Sequence, residues 1–406
     1  MNTGDTAFML IATAMVMLMT PGLALFYGGL VRPKNVMGTI MHSIVCLGVV
    51  SVIWVFYGYS LSFGPDIGGF IGGLKYIGLQ GVGLNPGPYA DKIPDLLFCA
   101  FQLMFAIITP ALISGAIAER MKFSAYLFFI VLWSSIVYLP VCHWVWGGGW
   151  LGKMGALDFA GGTVIHINSG VAALVACIML GRRRGWGKES FHPHNLPMTV
   201  LGAGLLWFGW FGFNAGSALS AGKIATLAIF TTQVATGAAV LSWLIVEWLV
   251  QGKPTTLGAV SGALAGLVAI TPAAGFVGPV SAVIIGLVAG ALCYGAVLAK
   301  SRLGYDDALD VVGVHGVGGV WGALATGLFA STMANPGGAN GLFFGNPHQF
   351  FVQAVGVGAV IVYSASCTWV ILKIVGLLTG GLRVNEEDEV LGLDLSQHSE
   401  IGYTSL

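Results

Sequence analysis

D-F-A-G-G-T-V-I-H at 158–166 and D-V-V-G-V-H at 310–315 are the two stretches on which the reading of this chain turns. Each begins with an aspartate at the edge of an apolar run and ends with a histidine deeper in it. Ionisable groups at membrane depth are costly, face the protein interior and mark functional positions. A matched pair in two halves of one chain predicts a site between the halves, with His166 and His315 at its centre.

The surrounding composition is that of an integral membrane protein. Of 406 residues, 56% are hydrophobic and 8% charged, with a mean hydropathy of +0.86, against about 25% charged in soluble domains. Zero formal net charge argues against nucleic acid as a partner. The 62 glycines are about twice the usual share; Gly258, Gly262 and Gly266 make two small-xxx-small steps that suit close helix packing. Six cysteines, Cys46, Cys99, Cys142, Cys177, Cys293 and Cys367, lie scattered in apolar runs without CxxC spacing, so neither zinc nor a disulfide framework follows.

Runs of about 20 apolar residues span a bilayer as helices. They fall near 7–31, 36–63, 94–117, 123–143, 159–181, 196–214, 222–250, 256–271, 279–299, 309–331 and 347–376. The expected fold is therefore an all-α polytopic membrane protein with eleven transmembrane helices. Alternating patterning is absent, which argues against a barrel. Thirteen Lys and Arg residues lie in the connections after odd-numbered segments and at the C-terminal end, four on the opposite side. The positive-inside rule then puts the N-terminus outside and the C-terminus inside. The first residues, M-N-T-G-D-T-A, lack the basic region of a secretory signal. Segments five and ten cross in opposite directions, which predicts a 5+5 inverted repeat, about 7–181 and 196–331, with its site near the midplane. The last helix, 347–376, completes a membrane domain over 1–378, and 379–406 form a cytoplasmic tail.

His166 has Gly162 and Gly170 on its helix face, and His315 has Gly318 and Gly319. Bare faces let the two helices approach until the imidazoles meet. A neutral imidazole has one donor and one acceptor nitrogen, so two can share a proton and still bind a small polar solute. The plainer reading is a pair of interhelical hydrogen bonds. Aromatics form a second constellation: Phe101 and Phe105 four apart, Trp210, Phe213 and Ser217 at i, i+3, i+7, and Trp146 in W-V-W-G-G-G-W. Aromatic faces attract a partly desolvated cation by roughly 1–2 kcal/mol each, and Ser217 can accept a hydrogen bond from it. An interfacial belt accounts for Trp144 and Trp150. Asp158 sits where a helix begins, so it caps that helix or adds negative field for a cation. Asp310 is read as a cap, and Glu119 and Glu247 as interfacial anchors. Asp158 and His166 are about 12 Å apart along a helix, too far for one metal, so no metal and no cofactor are expected.

These residues resemble a known family. D-F-A-G-G-T-V-I-H-I-N-S-G-V-A-A-L (158–174) is similar to the signature of the ammonium transporter family, the Amt/Mep/Rh group. P-G-L-A-L-F-Y-G-G-L-V-R-P-K-N (21–35), G-A-I-A-E-R (115–120), H-W-V-W-G-G-G-W-L (143–151), W-F-G-F-N-A-G-S-A (210–218), D-V-V-G-V-H-G-V-G-G (310–319) and G-L-D-L-S-Q-H-S-E-I-G-Y (392–403) extend the likeness over essentially the whole chain. S-E-I-G-Y departs from the G-E-x-A-Y of many members, which weakens inferences about tail regulation. The resemblance implies a homotrimer with one pore per subunit in the cytoplasmic (inner) membrane. It assigns Phe101, Trp146 and Ser217 to an external ammonium recruitment site. Phe105 and Phe213 become the stacked gate, and His166 with His315 the twin-histidine pair; Asp158 matches the family's essential aspartate. Trp146 and the aromatic gate favour the Amt branch.

Ammonium would then be deprotonated, ammonia would pass the apolar pore, and the proton would travel separately, giving net electrogenic transport. A PII-type regulatory protein on the cytoplasmic face is implied by family alone; N-E-E-D-E (385–389) and basic loops are the contacts this chain offers. The alternative is an ammonium sensor acting through a separate partner, since the tail is too short for a kinase domain. An enzyme is disfavoured because no nucleophile or plausible metal set is visible.

Overall fold

In hydrocarbon an apolar run satisfies its backbone groups only as a helix or a closed barrel. The computed structural model, which describes residues 1–403, places a helix on each of the eleven predicted runs. These are α1 (Thr3–Leu30), α2 (Pro33–Phe63), α3 (Asp95–Ile117), α4 (Phe123–Met154), α5 (Gly162–Leu180), α6 (Leu196–Gly216), α7 (Lys223–Gln251), α8 (Thr256–Ile270), α9 (Pro279–Leu303), α10 (Val312–Phe329) and α11 (Pro347–Leu378). Ten are long and apolar enough to cross a membrane, and α8, with 15 residues, is shorter. Strands among the described residues are confined to two hairpins between α2 and α3: β1 (Asp66–Ile67) with β2 (Ile71–Gly72), and β3 (Pro86–Gly87) with β4 (Ala90–Pro94). Two short tail helices follow, α12 (Glu386–Leu391) and α13 (Leu393–His398).

Glycine sets the helix approaches, as its spacing predicted. A Cβ on Gly202 would lie 2.3 Å from the Phe26 backbone nitrogen, so α1 and α6 meet backbone to backbone. On α8, a Cβ at Gly262 would meet Trp243 at 2.7 Å and one at Gly266 would meet Ala239 at 2.7 Å, which seats that helix on α7. Helix pairing runs in parallel through the two halves: α2 against α4 and α7 against α9, with α1 on α6 and α5 on α10 between them.

α5 and α10 each begin with a π-helical turn, Gly162–Ile167 and Val312–Val317. A π turn inserts an extra residue per turn and re-aims the side chains it carries; here it carries His166 and His315. The two helices touch where a Cβ on Gly170 would come 2.3 Å from the Gly316 Cα and one on Gly319 3.0 Å from the His166 Cβ. At Gly170 any larger side chain would have to move the α10 backbone, and at Gly319 it would have to displace His166 and Ile167 by a few tenths of an ångström.

At one side of the bundle the helix ends are joined by buried charges. Glu119, expected as an interfacial anchor, is instead buried at a left-handed φ of 70° and pairs with Arg32 at 3.0 Å and Arg183 at 3.3 Å. Burial pushes its carboxyl up, but Arg183 and Arg32 more than offset this and hold it below the usual range. Arg183 also pairs with Asp306 at 2.8 Å. The buried Arg120 donates to the carbonyls of Ala116, Ala118, Gly181 and Asp306, groups left open where helices end. Glu247 is likewise no surface anchor: it accepts from the Thr255 backbone and hydroxyl at the start of α8. The tail docks through Asp394, which accepts from Gly38 N–H at 2.8 Å, and through Glu389, which accepts from Arg184 N–H at 2.7 Å.

Candidate functional site

The π turns of α5 and α10 bring His166 Nδ1 within 3.2 Å of His315 Nδ1. Both rings are buried, and their centroids lie 5.2 Å apart at 23°. Two facing Nδ1 atoms bond only if one carries hydrogen and the other a lone pair. In a neutral pair the outward Nε2 atoms are then opposite in kind, one bare and one protonated. His166 Nε2 has no hydrogen-bond partner among the described residues. Trp210 stacks on His166 at 5.4 Å and 17°, and Phe213 at 6.2 Å. The imidazoles border a slot walled by Leu23, Tyr27, Ile108, Leu264, Trp210 and Phe213, with a void of about 10 Å³. That volume is at the threshold for a single water molecule, so the slot is apolar and tight.

Above the slot, Phe105 and Phe213 stack at 4.3 Å and 29°. Beyond Phe105 opens a vestibule of about 270 Å³ whose walls include Phe105, Trp146, Phe159, Tyr89, Gln102 and Ser217. Trp146 meets Phe105 edge-on at 5.9 Å and 87°, and its Nε1–H donates to Asp158 O at 2.9 Å. The Ser217 hydroxyl donates to Phe213 O at 2.9 Å, which leaves its lone pairs for a donor in the vestibule. Phe101 is fully buried behind Phe105, 4.8 Å away, and lies under Gly216, where a Cβ would meet its ring at 2.7 Å. It backs the wall and is not part of the vestibule lining. Gln102 is, and its Oε1 has no donor among the described residues. Adjacent in sequence to Phe101, it points to the other side of that face, a distinction helical spacing alone does not make.

Asp158 is spent on the backbone. Its Oδ1 accepts from Gly161 and Gly162 N–H at 2.7 Å each, and its Oδ2 from Thr163 at 2.8 Å and Val164 at 3.1 Å. Burial raises its carboxyl above the usual range, and the four N–H groups oppose that rise. The residue thus caps the π turn that aims His166 while its carbonyl holds Trp146. Its own approach is held by Gln353, which accepts from Leu157 N–H at 2.7 Å and donates to Leu157 O at 2.7 Å and Ala323 O at 3.1 Å.

On α10 the equivalent carboxylate is not the predicted Asp310. Asp307 stands eight residues before His315, as Asp158 stands eight before His166, and its Oδ2 accepts from Val312 N–H at 2.7 Å. Its Oδ1 has no partner among the described residues. Burial pushes its carboxyl up to about 6, with Lys300 lowering it and Asp310 raising it. Asp310 adopts a left-handed φ of 63° and pairs with Lys300. Trp144, expected in an interfacial belt, is buried and donates to Phe70 O at 2.8 Å.

Known proteins share this sequence pattern and fold. A family model described as the Ammonium Transporter Family matches residues 7–403. An ammonium transporter of Bacillus subtilis is 55% identical over 404 residues, covering 99% of both chains. Ammonium transporter Amt1 of Archaeoglobus fulgidus is 48% identical over the full length of both. The crystal structure of Candida albicans Mep2 superimposes with a TM-score of 0.90 at 36% identity, over 99% of this chain and 90% of that one. A solved Sensor Amt Protein gives 0.89 at 32%, over 97% and 98%. The chain belongs to the ammonium transporter family.

Proposed function

We propose that the chain moves ammonium nitrogen through a pore in each subunit by separating ammonia from its proton. At the coarser level, membership of the family makes it an ammonium transport protein of the cell membrane, multi-pass and not an enzyme. The finer reading takes the N-terminus as outside, α1–α5 and α6–α10 as an inverted repeat, and 379–406 as the cytoplasmic tail. Ammonium is drawn to the vestibule by the faces of Trp146 and Phe105, with Phe101 behind them, and donates to Ser217. A bare cation in the slot beyond would lose its hydration without replacement. Ammonia is neutral and small, and passes once Phe105 and Phe213 part.

The proton takes the imidazoles. It binds the bare Nε2 of one ring, that ring's Nδ1–H crosses to the partner Nδ1, and the partner's Nε2–H leaves on the far side. Each passage leaves the pair with reversed polarity, so it must reset before the next. Transport is therefore electrogenic, one charge accompanying each nitrogen. Asp158 supports both stations structurally, with no free lone pair facing the vestibule. The observation that carries this reading is the Nδ1–Nδ1 contact at 3.2 Å at the foot of an aromatic gate.

The subunits assemble as a homotrimer. A PII-type protein docks on the cytoplasmic face, where the exposed Arg184 and Glu386 offer charged contacts. Sensing is the second reading, because the Sensor Amt Protein shares the fold. Ammonium-evoked current in proteoliposomes tests the proposal: transport gives current that saturates with ammonium, whereas saturable binding without flux supports sensing.

A further inference from the structure

His143 lies outside the path just described. It is fully buried at the top of α4, three residues before Trp146. Its Nδ1 faces Ser62 O at 2.8 Å and its Nε2 faces Asp66 Oδ1 at 3.0 Å. Ser62 O can only accept. Asp66 also receives Lys153 and the Gly69 N–H, and the Lys153 and His143 hydrogen bonds hold its carboxyl at about 2, so it is ionised. Two acceptors therefore face one imidazole, and both ring nitrogens must donate. The ring sits directly beneath the turn that follows Trp146. A Cβ on Gly147 would fall 1.9 Å from Ser62 O and 2.5 Å from His143 Nδ1, and His143 O accepts from Gly147 and Gly149 N–H at 3.0 and 2.9 Å.

We propose that His143 is a positioning residue of the recruitment site: as a doubly donating imidazolium it ties the α2–β1 corner to the Trp146 turn and so fixes the indole that receives ammonium. The assignment rests on the recruitment reading of Trp146. The Tyr89 hydroxyl also bridges Phe63 O at 2.9 Å and Gly147 O at 3.1 Å, and two further bonds lie at the hairpin, Trp144 Nε1–H to Phe70 O at 2.8 Å and Trp150 N–H to Gly69 O at 3.0 Å. These two anchor the β1–β2 hairpin and preserve the loop, while His143 bonds the end of α2 directly beneath Gly147. Lys153 is exposed and acts only on the outer carboxylate oxygen. The charge that matters is Asp66 against His143.

Two measurements on the intact protein test this. The 15N resonances of His143 at pH 7 should show both ring nitrogens protonated in the wild type, and one unprotonated in Asp66→Asn; a neutral ring in the wild type overturns the proposal. In ammonium-evoked currents, His143→Gln donates to only one of the two acceptors. Its KM should rise about tenfold, the loss of one well-placed cation–π face, with the maximal current within about twofold. Asp66→Asn should follow it, and Lys153→Met should match the wild type. A fall in maximal current with unchanged KM, or a Lys153→Met effect as large as that of Asp66→Asn, also overturns it. If the wild type carries no current, the transport reading fails, and the ring resonances still decide the state of His143.

Discussion

Replacing Asp158 by asparagine is the most informative change away from the histidines. The carboxylate accepts four backbone N–H groups, two on each oxygen, at 2.7 to 3.1 Å. An asparagine oxygen keeps two of them and turns its NH2 toward the other two. Two buried donors are then orphaned at about 1–3 kcal/mol each, roughly 2–6 kcal/mol for the turn. The first turn of α5 should open more readily by at least about 30-fold, taking about 1.4 kcal/mol per factor of ten. Hydrogen exchange of a peptide covering 161–164 reads this directly. Because Asp158 O also holds Trp146, ammonium flux should fall with it. Asp158→Glu keeps both acceptor oxygens and should recover part of each. Exchange in Asp158→Asn as slow as in the wild type would refute the capping role, and a variant with intact protection but no flux would return Asp158 to a direct part in deprotonation.

Asp307 makes a pH-dependent prediction of defined sign. Its folded carboxyl is raised to about 6, so the unfolded chain ionises first. Stability is then lost as pH rises from about 4 to about 6, by about 3 kcal/mol, and Asp307→Asn should not share the loss. The difference in Tm between variant and wild type should therefore grow over that interval; a constant difference would contradict the buried carboxyl. Gly170→Ala places a Cβ 2.3 Å from the Gly316 Cα, which should part α5 from α10, lengthen the His166–His315 contact and cut flux at least about tenfold while costing about 1–3 kcal/mol. Unaltered flux from a folded Gly170→Ala protein would show that close approach is not needed. Arg183→Leu removes the ion-pair partner of the buried Asp306 and leaves Glu119 to Arg32 alone, and should cost about 3–5 kcal/mol, seen as a lowered Tm in detergent with Lys75→Met as an exposed control.

Much of this structure was legible because the bilayer leaves few options. Apolar runs between charged loops have one backbone solution, so the helices stand where the runs stand. Gly170 and Gly319 announced where helices touch, and His166 and His315 were visible as ionisable groups in apolar runs. What periodicity misses is the π turn, since 3.6-residue spacing assumes the very geometry that Gly162–Ile167 and Val312–Val317 break. Asp307 was written in the sequence at the same eight-residue spacing as Asp158, but the nearer Asp310 resembled the first motif more closely. Gln102 and Gln353 carry no motif; a neutral amide on an apolar face stands out only once its partners, or the lack of them, are known. Glu119 and Glu247 read as anchors because sequence shows charge at a helix end and not the burial of that end.

The central claim is that His166 and His315 divide ammonium into ammonia and a proton that both cross. It is tested most directly by measuring charge moved and nitrogen taken up in the same proteoliposomes, for wild type and for His166→Ala and His315→Ala. The account predicts about one charge per nitrogen in the wild type, as a shared-proton pair requires, and loss of that coupling in each variant. Nitrogen uptake with no accompanying charge in the wild type, or the same coupling in both variants, would contradict it.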